Sequence, residues 1–391
     1  MLRTIFLSLL LITPVFAADP DFVTSYWFGP PPQYTTLERY KEIKEANFTV
    51  ALPSGGGMTV EQNRKMLDHC QAVGLKAIIW DSRIAVAINN DPKIKASLDA
   101  MIKDYKDHPA LFGYFIADEP GAGAFPGLGE VVAYLKEKDP THPGYINLLP
   151  TYARDFNALG TKTYEEYVRQ YAQIVKPFAI SYDHYHFTNH GDRSDFFENL
   201  DTVRKVALEH KIPFWNIVLC TQHGDYRNLT EPELRYEAMQ TLAYGGKGVL
   251  WFTYWSPEGY DATTVWAHAM INKDGSRDPH YDMIKRVNAE VLALAKQLKG
   301  ATSTDVKRPA EKDPQFNLGT FKSKDGAALL VAASLDTTRE LSARIPVTGD
   351  RAEQFNPTSQ KWSPLGIQEI EGKKAVAVTI SPGGATLVRC R

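Results

Sequence analysis

The sequence predicts a (β/α)8 TIM barrel followed by a small C-terminal antiparallel β-sandwich. Three observations carry that prediction. Short apolar runs alternate strictly with amphipathic stretches, eight of each over about 280 residues, and such alternation implies a parallel sheet with right-handed crossovers. Nearly every apolar run ends in polar or aromatic residues. That suits chemistry all round one barrel rim better than the alternative, a doubly wound sheet with its chemistry at one switch point. Near Gly300 the pattern changes to short alternating runs separated by Gly-containing turns.

The chain opens on a secretory leader. Arg3 supplies the positive start, Ile5 to Phe16 the apolar stretch, and Val15-Phe16-Ala17 the small-x-small pattern. Cleavage is expected after Ala17 or Ala18, removing residues 1–18, and no cysteine follows to anchor a lipid. No later apolar run is long enough to span a bilayer. The expected mature protein is therefore soluble and exported, either secreted or periplasmic.

The barrel is expected over residues 19–300. Tyr26-Trp27-Phe28 is the first predicted strand, and Thr36 to Ala46 the first helix, capped by Thr35 or Thr36. Asn47 to Pro53 is the second strand, followed by a Ser-Gly-Gly-Gly loop and a helix over Val60 to Val73. Gly74 leads into the third strand, Leu75 to Asp81, with its helix over Pro92 to Lys106. The fourth strand, from Leu111, is an aromatic run that ends in Asp118, Glu119 and Pro120; its helix is predicted over Glu130 to Lys138. Tyr145 to Pro150, Phe178 to Phe187, Pro213 to Gln222 and Gly248 to Ser256 complete the strands. Their helices span Tyr164 to Val175, Phe196 to His210, Glu231 to Tyr244 and His280 to Leu298. In residues 301–391 the alternating runs Ala327 to Ala333, Glu340 to Ile345, Ala375 to Thr379 and Ala385 to Cys390 read as an accessory sandwich with no visible chemistry.

Composition narrows the function. The chain is 43% hydrophobic and 23% charged, with a net charge of -2 and no basic run. A nucleic-acid partner is therefore not expected. Aromatic residues make up 11%, which fits either sugar stacking or a large aromatic core. Cys70, Cys220 and Cys390 are too few and too widely spaced for a disulfide framework or a metal set, although one pair could be bridged. Sequons stand at Asn47 and Asn228, the first inside a predicted buried strand. The sequence sets no oligomeric state.

Catalytic groups of a barrel come from the carboxyl ends of its strands. The predicted ends carry Trp27, Asp81 with Arg83, Asp118 with Glu119, Asn147 with Tyr152, Asp183 with His184, Tyr185 and His186, Gln222, and Tyr254 with Trp255 and Glu258. Acids, amides, phenols, imidazoles and indoles suit glycoside hydrolysis, which needs one protonated carboxyl and a second carboxylate. Glu119 is the expected acid, because an apolar approach and the adjacent Asp118 both raise its pKa. Asp183 is the first candidate for the second carboxylate, ahead of Asp81 and Glu258. Asp118 is expected to orient substrate or to hold Glu119. The remaining rim residues are expected substrate contacts, with Tyr254, Trp255 and Trp27 as sugar platforms. Arg83 pairing with Asp81 has a structural reading as well. His184 and His186 alternate as two metal ligands could, but no third ligand stands out, so no metal and no cofactor is expected. Gly55-Gly56-Gly57 lacks the lysine and the spacing of a phosphate loop.

Most of residues 20 to 300 resembles the bacterial clan A-like, β-galactosidase-like glycoside-hydrolase barrels. The resemblance rests on His108 to Tyr114 running into Asp118-Glu119-Pro120, on Ser181-Tyr182-Asp183-His184-Tyr185, and on Leu242 to Gly248 leading into Trp251 to Trp255. It implies that Glu119 is the acid/base at the end of strand four and that a C-terminal β-domain accompanies the barrel. Two departures matter. The family carries a nucleophilic Glu at the end of strand seven, where this chain has Gln222, and an Asn before the acid/base, where it has Asp118. The expected function is an exported glycosidase acting on a poly- or oligosaccharide. The alternatives are a carbohydrate-binding barrel without turnover and a metal-assisted hydrolase or lyase.

Overall fold

A computed structural model describes residues 21–257, 264–309, 315–370 and 372–391. Glu258 and the leader at 1–18 lie outside the described residues.

Eight parallel strands form the barrel: β1 (Val23–Trp27), β2 (Val50–Ala51), β3 (Lys76–Ile79), β4 (Leu111–Asp118), β5 (Gly144–Leu148), β6 (Ile180–Asp183), β7 (Phe214–Leu219) and β8 (Gly248–Phe252). They hydrogen-bond in the order β1-β8-β7-β6-β5-β4-β3-β2. The β1–β2 seam is stitched by Thr49 N–H donating to the Thr24 carbonyl at 2.9 Å and by Gly29 N–H donating to the Pro53 carbonyl at 2.9 Å. Aromatic rings fill the interior: Phe115 lies 4.2 Å from Trp80 and 5.7 Å from Tyr145, which in turn lies 5.8 Å from Trp215. The apolar runs of the sequence are therefore buried on both faces, as parallel strands under helices must be.

Helices α1 (Leu37–Glu45), α2 (Val60–Val73), α3 (Pro92–Tyr105), α4 (Phe125–Lys138), α5 (Tyr164–Val175), α6 (Phe196–His210), α7 (Glu231–Ala243) and α8 (Pro279–Gln297) surround the strands. Local signals set many of their ends. Thr36 caps α1, accepting from Arg39 N–H. A Thr59/Gln62 capping box opens α2, and Gly74 at φ 72° closes it. The sequence misjudged α4, which begins at Phe125 rather than at Glu130. Its two early glycines read as loop, yet they serve close packing: a Cβ on Gly127 would meet the Ala87 Cβ at 2.7 Å, and one on Gly129 the Ile174 carbonyl at 2.8 Å. Asn47 sits in a left-handed turn at φ 62° before β2, not inside the strand, and donates to the Lys285 carbonyl at 3.0 Å.

Beyond the barrel, nine antiparallel strands form a six-stranded and a three-stranded sheet. Four of them match the predicted runs closely; the strands Thr302–Lys307, Phe316–Lys322, Ala352–Asn356, Lys361–Leu365 and Ile367–Ile370 were not foreseen. Alternation sorts the faces of the larger sheet. Leu329, Val331 and Ala333 join the barrel core, while Leu330 and Ala332 join the core between the two sheets. Helix α7 lies between barrel and sandwich and is buried around nearly its whole circumference. Gln240 on α7 donates to the Ala333 and Ser334 carbonyls across that junction. All three cysteines are buried and unpaired. No helix among the described residues is long and apolar enough to cross a membrane.

Candidate active site

The carboxyl end of β4 departs from regular strand geometry twice. The β4–β5 register shifts between Phe115 and Ala117, so Asp118 stands opposite Asn147. Glu119 then adopts φ 46°, the left-handed region that side chains rarely occupy. Successive strand residues normally point to opposite faces. The turn at Glu119 breaks that rule and lets two consecutive carboxyls share one mouth. It is held in place from both sides: Glu119 N–H donates to the Asn147 carbonyl at 2.9 Å, and the Tyr167 hydroxyl of α5 donates to the Pro120 carbonyl at 2.7 Å. Strain held by its surroundings in this way is characteristic of functional positions.

Three carboxyls and one amide form the centre. Asn147 Nδ2 donates to Asp118 Oδ1 at 3.1 Å and to Asp183 Oδ1 at 2.9 Å, while its Oδ1 accepts from Ser181 Oγ at 3.2 Å. Ser181 is in turn 2.9 Å from the Tyr145 hydroxyl. This chain fixes the orientation of the amide: only Nδ2 can donate to two acids. The Glu119 and Asp183 carboxyls also perturb each other's protonation, their contact lowering Glu119 and raising Asp183. The opposite signs favour a proton on Asp183 over one on Glu119.

Electrostatics keeps protons there. Asp183 is 4% exposed; burial, then the Glu119 and Asp118 charges, push its pKa well above the carboxylate range. Asp118 and Glu119 remain accessible from the mouth, but the surrounding protein removes much of their hydration. That loss, with the Glu119 charge behind it, raises Asp118 from 3.8 to about 7. Glu119 is raised by the same loss of hydration, against which the contact with Asp183 works.

Beside this cluster, on the β8–β1–β2–β3 side of the mouth, lies a depression of about 380 Å³ lined by Asp118, Trp27, Phe28, Trp80, Trp255 and the Ser54-Gly55-Gly56 loop. Gly55 has φ 75°, and a Cβ there would come within 2.8 Å of the Phe28 ring. The glycine loop discounted as a phosphate cradle therefore serves here as a wall of the depression. Trp80, half-buried and just before Asp81, was overlooked in sequence; the strand-end rule that selected its neighbours applies to it equally. On the far wall Tyr185 packs 5.1 Å from Phe252 and 5.4 Å from Tyr226, and the Arg193 guanidinium sits 3.9 Å over the Tyr152 ring. Arg193 and Tyr226 come from loops and carried no local signal.

Several expected contacts are engaged elsewhere. Asp81 is 1% exposed; it accepts from Arg83 N–H, Nε and Nη2, each at 2.8 Å, and from the Tyr105 hydroxyl. Arg83 also bonds Asp104 at 2.8 Å. Both residues therefore brace the β3 end, and neither Asp81 oxygen is left for a sugar. Tyr254 is wholly buried beside Tyr26, at 4.8 Å, and is core rather than platform. His184 Nε2 meets Asp195 at 3.1 Å, and His186 stacks 5.5 Å from Tyr236 with an interplanar angle of 8°. Both rings are packed into protein rather than converging on a ligand, and among the described residues no three His, Cys, Asp or Glu side chains are grouped to hold a metal. Gln222 pairs through its backbone with Ala267 beyond β7.

No protein-family model and no curated protein sequence matches this chain. Solved structures do. A family 39 glycoside hydrolase from the gut symbiont Bacteroides cellulosilyticus WH2 superposes with a TM-score of 0.57 at 12% identity, over 94% of this chain and 80% of that one. A protein described as a glycoside hydrolase gives 0.58 at 12%, over 94% and 92%. A family 27 β-L-arabinopyranosidase from Geobacillus stearothermophilus gives 0.55 at 10%, over 96% and 97%. The barrel and its C-terminal β-domain together have the fold of these glycoside hydrolases.

Proposed function

We propose that this protein is an exported glycoside hydrolase in which Glu119 is the general acid. One observation carries the reading: three carboxyls from β4 and β6 meet at the carboxyl end of the barrel, Asp118 and Asp183 on the Asn147 amide and Glu119 beside Asp183. A carboxyl that donates a proton to a leaving oxygen near neutrality must hold that proton until substrate arrives. Loss of hydration at Glu119 supplies that condition, against the opposing contact with Asp183.

Asp183 is reassigned by this geometry. A direct nucleophile stands about 5 Å from the acid, and a base that activates water about 6.5–9.5 Å away. A carboxyl close enough to perturb the protonation of Glu119 leaves little room for a sugar carbon or a water between the two. Asp183 is therefore read as a positioning residue beside Glu119; the contact between them favours the proton on Asp183, and loss of hydration is what raises Glu119. Asp118, which lines the aromatic depression, is the second carboxyl to meet the sugar, orienting a hydroxyl or amide or balancing positive charge at the anomeric carbon. Trp27 and Trp80 offer the apolar faces on which a sugar ring rests. The fold shared with glycoside hydrolases supports the reaction class. The leader expected at residues 1–18 supports export.

The test is a panel of aryl glycosides and of plant, algal and host glycans, run with the unaltered protein and Glu119→Gln, with and without a chelator. Release of sugar that Glu119→Gln abolishes and chelation leaves intact supports the proposal. Binding without release by the unaltered protein would replace it with a carbohydrate-binding barrel, and activity removed by chelation with a metal-assisted reaction.

A further inference from the structure

A larger cavity than the one at the barrel mouth lies in the C-terminal sandwich, with a volume of about 1030 Å³. Its floor includes Phe316 and Leu318 of the six-stranded sheet, and one side is the strand Leu341–Pro346. That strand is the edge of the three-stranded sheet, so among the described residues its outer backbone groups have no ladder partner. Three strands cannot cover six, and the uncovered part of the larger sheet becomes a groove.

The groove has one sign of charge. Among the described residues Lys307, Arg308 and Arg344 line it and no acid does. Arg308 is tied to Asp201 of α6 at 3.0 Å. Lys307 and Arg344 are exposed and, among the described residues, have no ion-pair partner. The sequence conceals this pairing, because the two cations lie on different strands of different sheets.

We infer that this groove binds a segment of acidic polysaccharide, carboxylated or sulfated, and so holds the barrel on its substrate. Phe316 provides a ring to stack on, the free strand edge provides hydrogen-bond donors and acceptors, and the two unpaired cations meet the acidic groups. The choice of a glycan over an acidic peptide rests on the glycosidase reading of the barrel, the Phe316 ring being a surface on which a sugar can stack.

The test is calorimetric titration of the full chain carrying Glu119→Gln, which prevents turnover. The probes are a galacturonate oligomer, a sulfated galactan oligomer, a neutral cello-oligosaccharide and polyglutamate. The expected result is binding of one or both acidic glycans, at least about tenfold tighter than the neutral one and weakening as salt rises. Adding Lys307→Ala and Arg344→Ala together should weaken it a further tenfold or so, roughly what two exposed charge contacts supply. Matched melting curves check that the double variant is folded. No binding of either acidic glycan at millimolar concentration overturns the inference, as does binding that survives the double substitution or polyglutamate binding as tightly. Sugar release by the unaltered protein is scored separately, so failure of the barrel reading and failure of the groove are distinguishable.

Discussion

Neutralising Asp118 should stabilise the protein, and only where the carboxyl would be charged. The Asp118 pKa rises from 3.8 to about 7 on folding. Below about pH 4 both folded and unfolded chains hold the proton, so the group contributes nothing to pH dependence. Between 4 and 7 the unfolded chain has lost the proton and the folded one keeps it, and stability falls as pH rises; above 7 the loss is complete. Three pKa units correspond to roughly 4 kcal/mol for a fully desolvated group. Asp118 is reached by solvent, and screening reduces the figure to about 1–2 kcal/mol. Asp118→Asn keeps an acceptor for Asn147 Nδ2 and removes the charge. At pH 8 it should therefore raise Tm by about 2–5 °C, and at pH 4 by almost nothing. Thermal unfolding followed by circular dichroism at pH 4, 5.5 and 8 measures the difference. An equal gain at every pH, or a lower Tm at pH 8, would refute the claim that the cluster destabilises the fold when ionised.

The other predictions concern the same site. Glu119→Gln should lower kcat by about 10²–10⁴-fold with little change in KM, read as initial rates on whichever glycoside the panel identifies. Asn147→Ala removes the donor that holds both Asp118 and Asp183 below still higher pKa values; the alkaline limb of the pH–rate profile should move upward, and urea unfolding should show a loss of about 1–3 kcal/mol. Asp81→Asn should cost about 2–4 kcal/mol of stability, because it leaves Arg83 half-paired beneath the rim, while KM stays constant. A KM change without a stability loss would return Asp81 to the substrate contacts. Trp80→Ala should weaken glycan binding at the mouth about 5- to 30-fold with kcat less affected, measured by titration of Glu119→Gln.

How much of this was legible in sequence depended on how local the cause was. The alternation that predicts a barrel is a property of neighbouring residues, and so are the helix caps. The helix predicted over Val60 to Val73, with Gly74 after it, is α2 to the residue. The five unforeseen C-terminal strands are paired with partners distant in the chain or carry weak alternation, and the glycine-rich start of α4 owes its form to what it packs against.

The site divides along the same line. By itself the sequence determined that Asp118 and Glu119 end an apolar strand, since a parallel strand exposes only its carboxyl end. It also determined which other strands end in polar groups. Tertiary structure alone decided which of those groups meet. Asp81 and Asp183 have similar sequence contexts, yet one is neutralised by Arg83 and Tyr105 while the other faces two acids through Asn147. The physical reason is that a pKa or a complementary groove depends on charges brought within a few ångströms, and closing a barrel brings together residues that the chain keeps far apart.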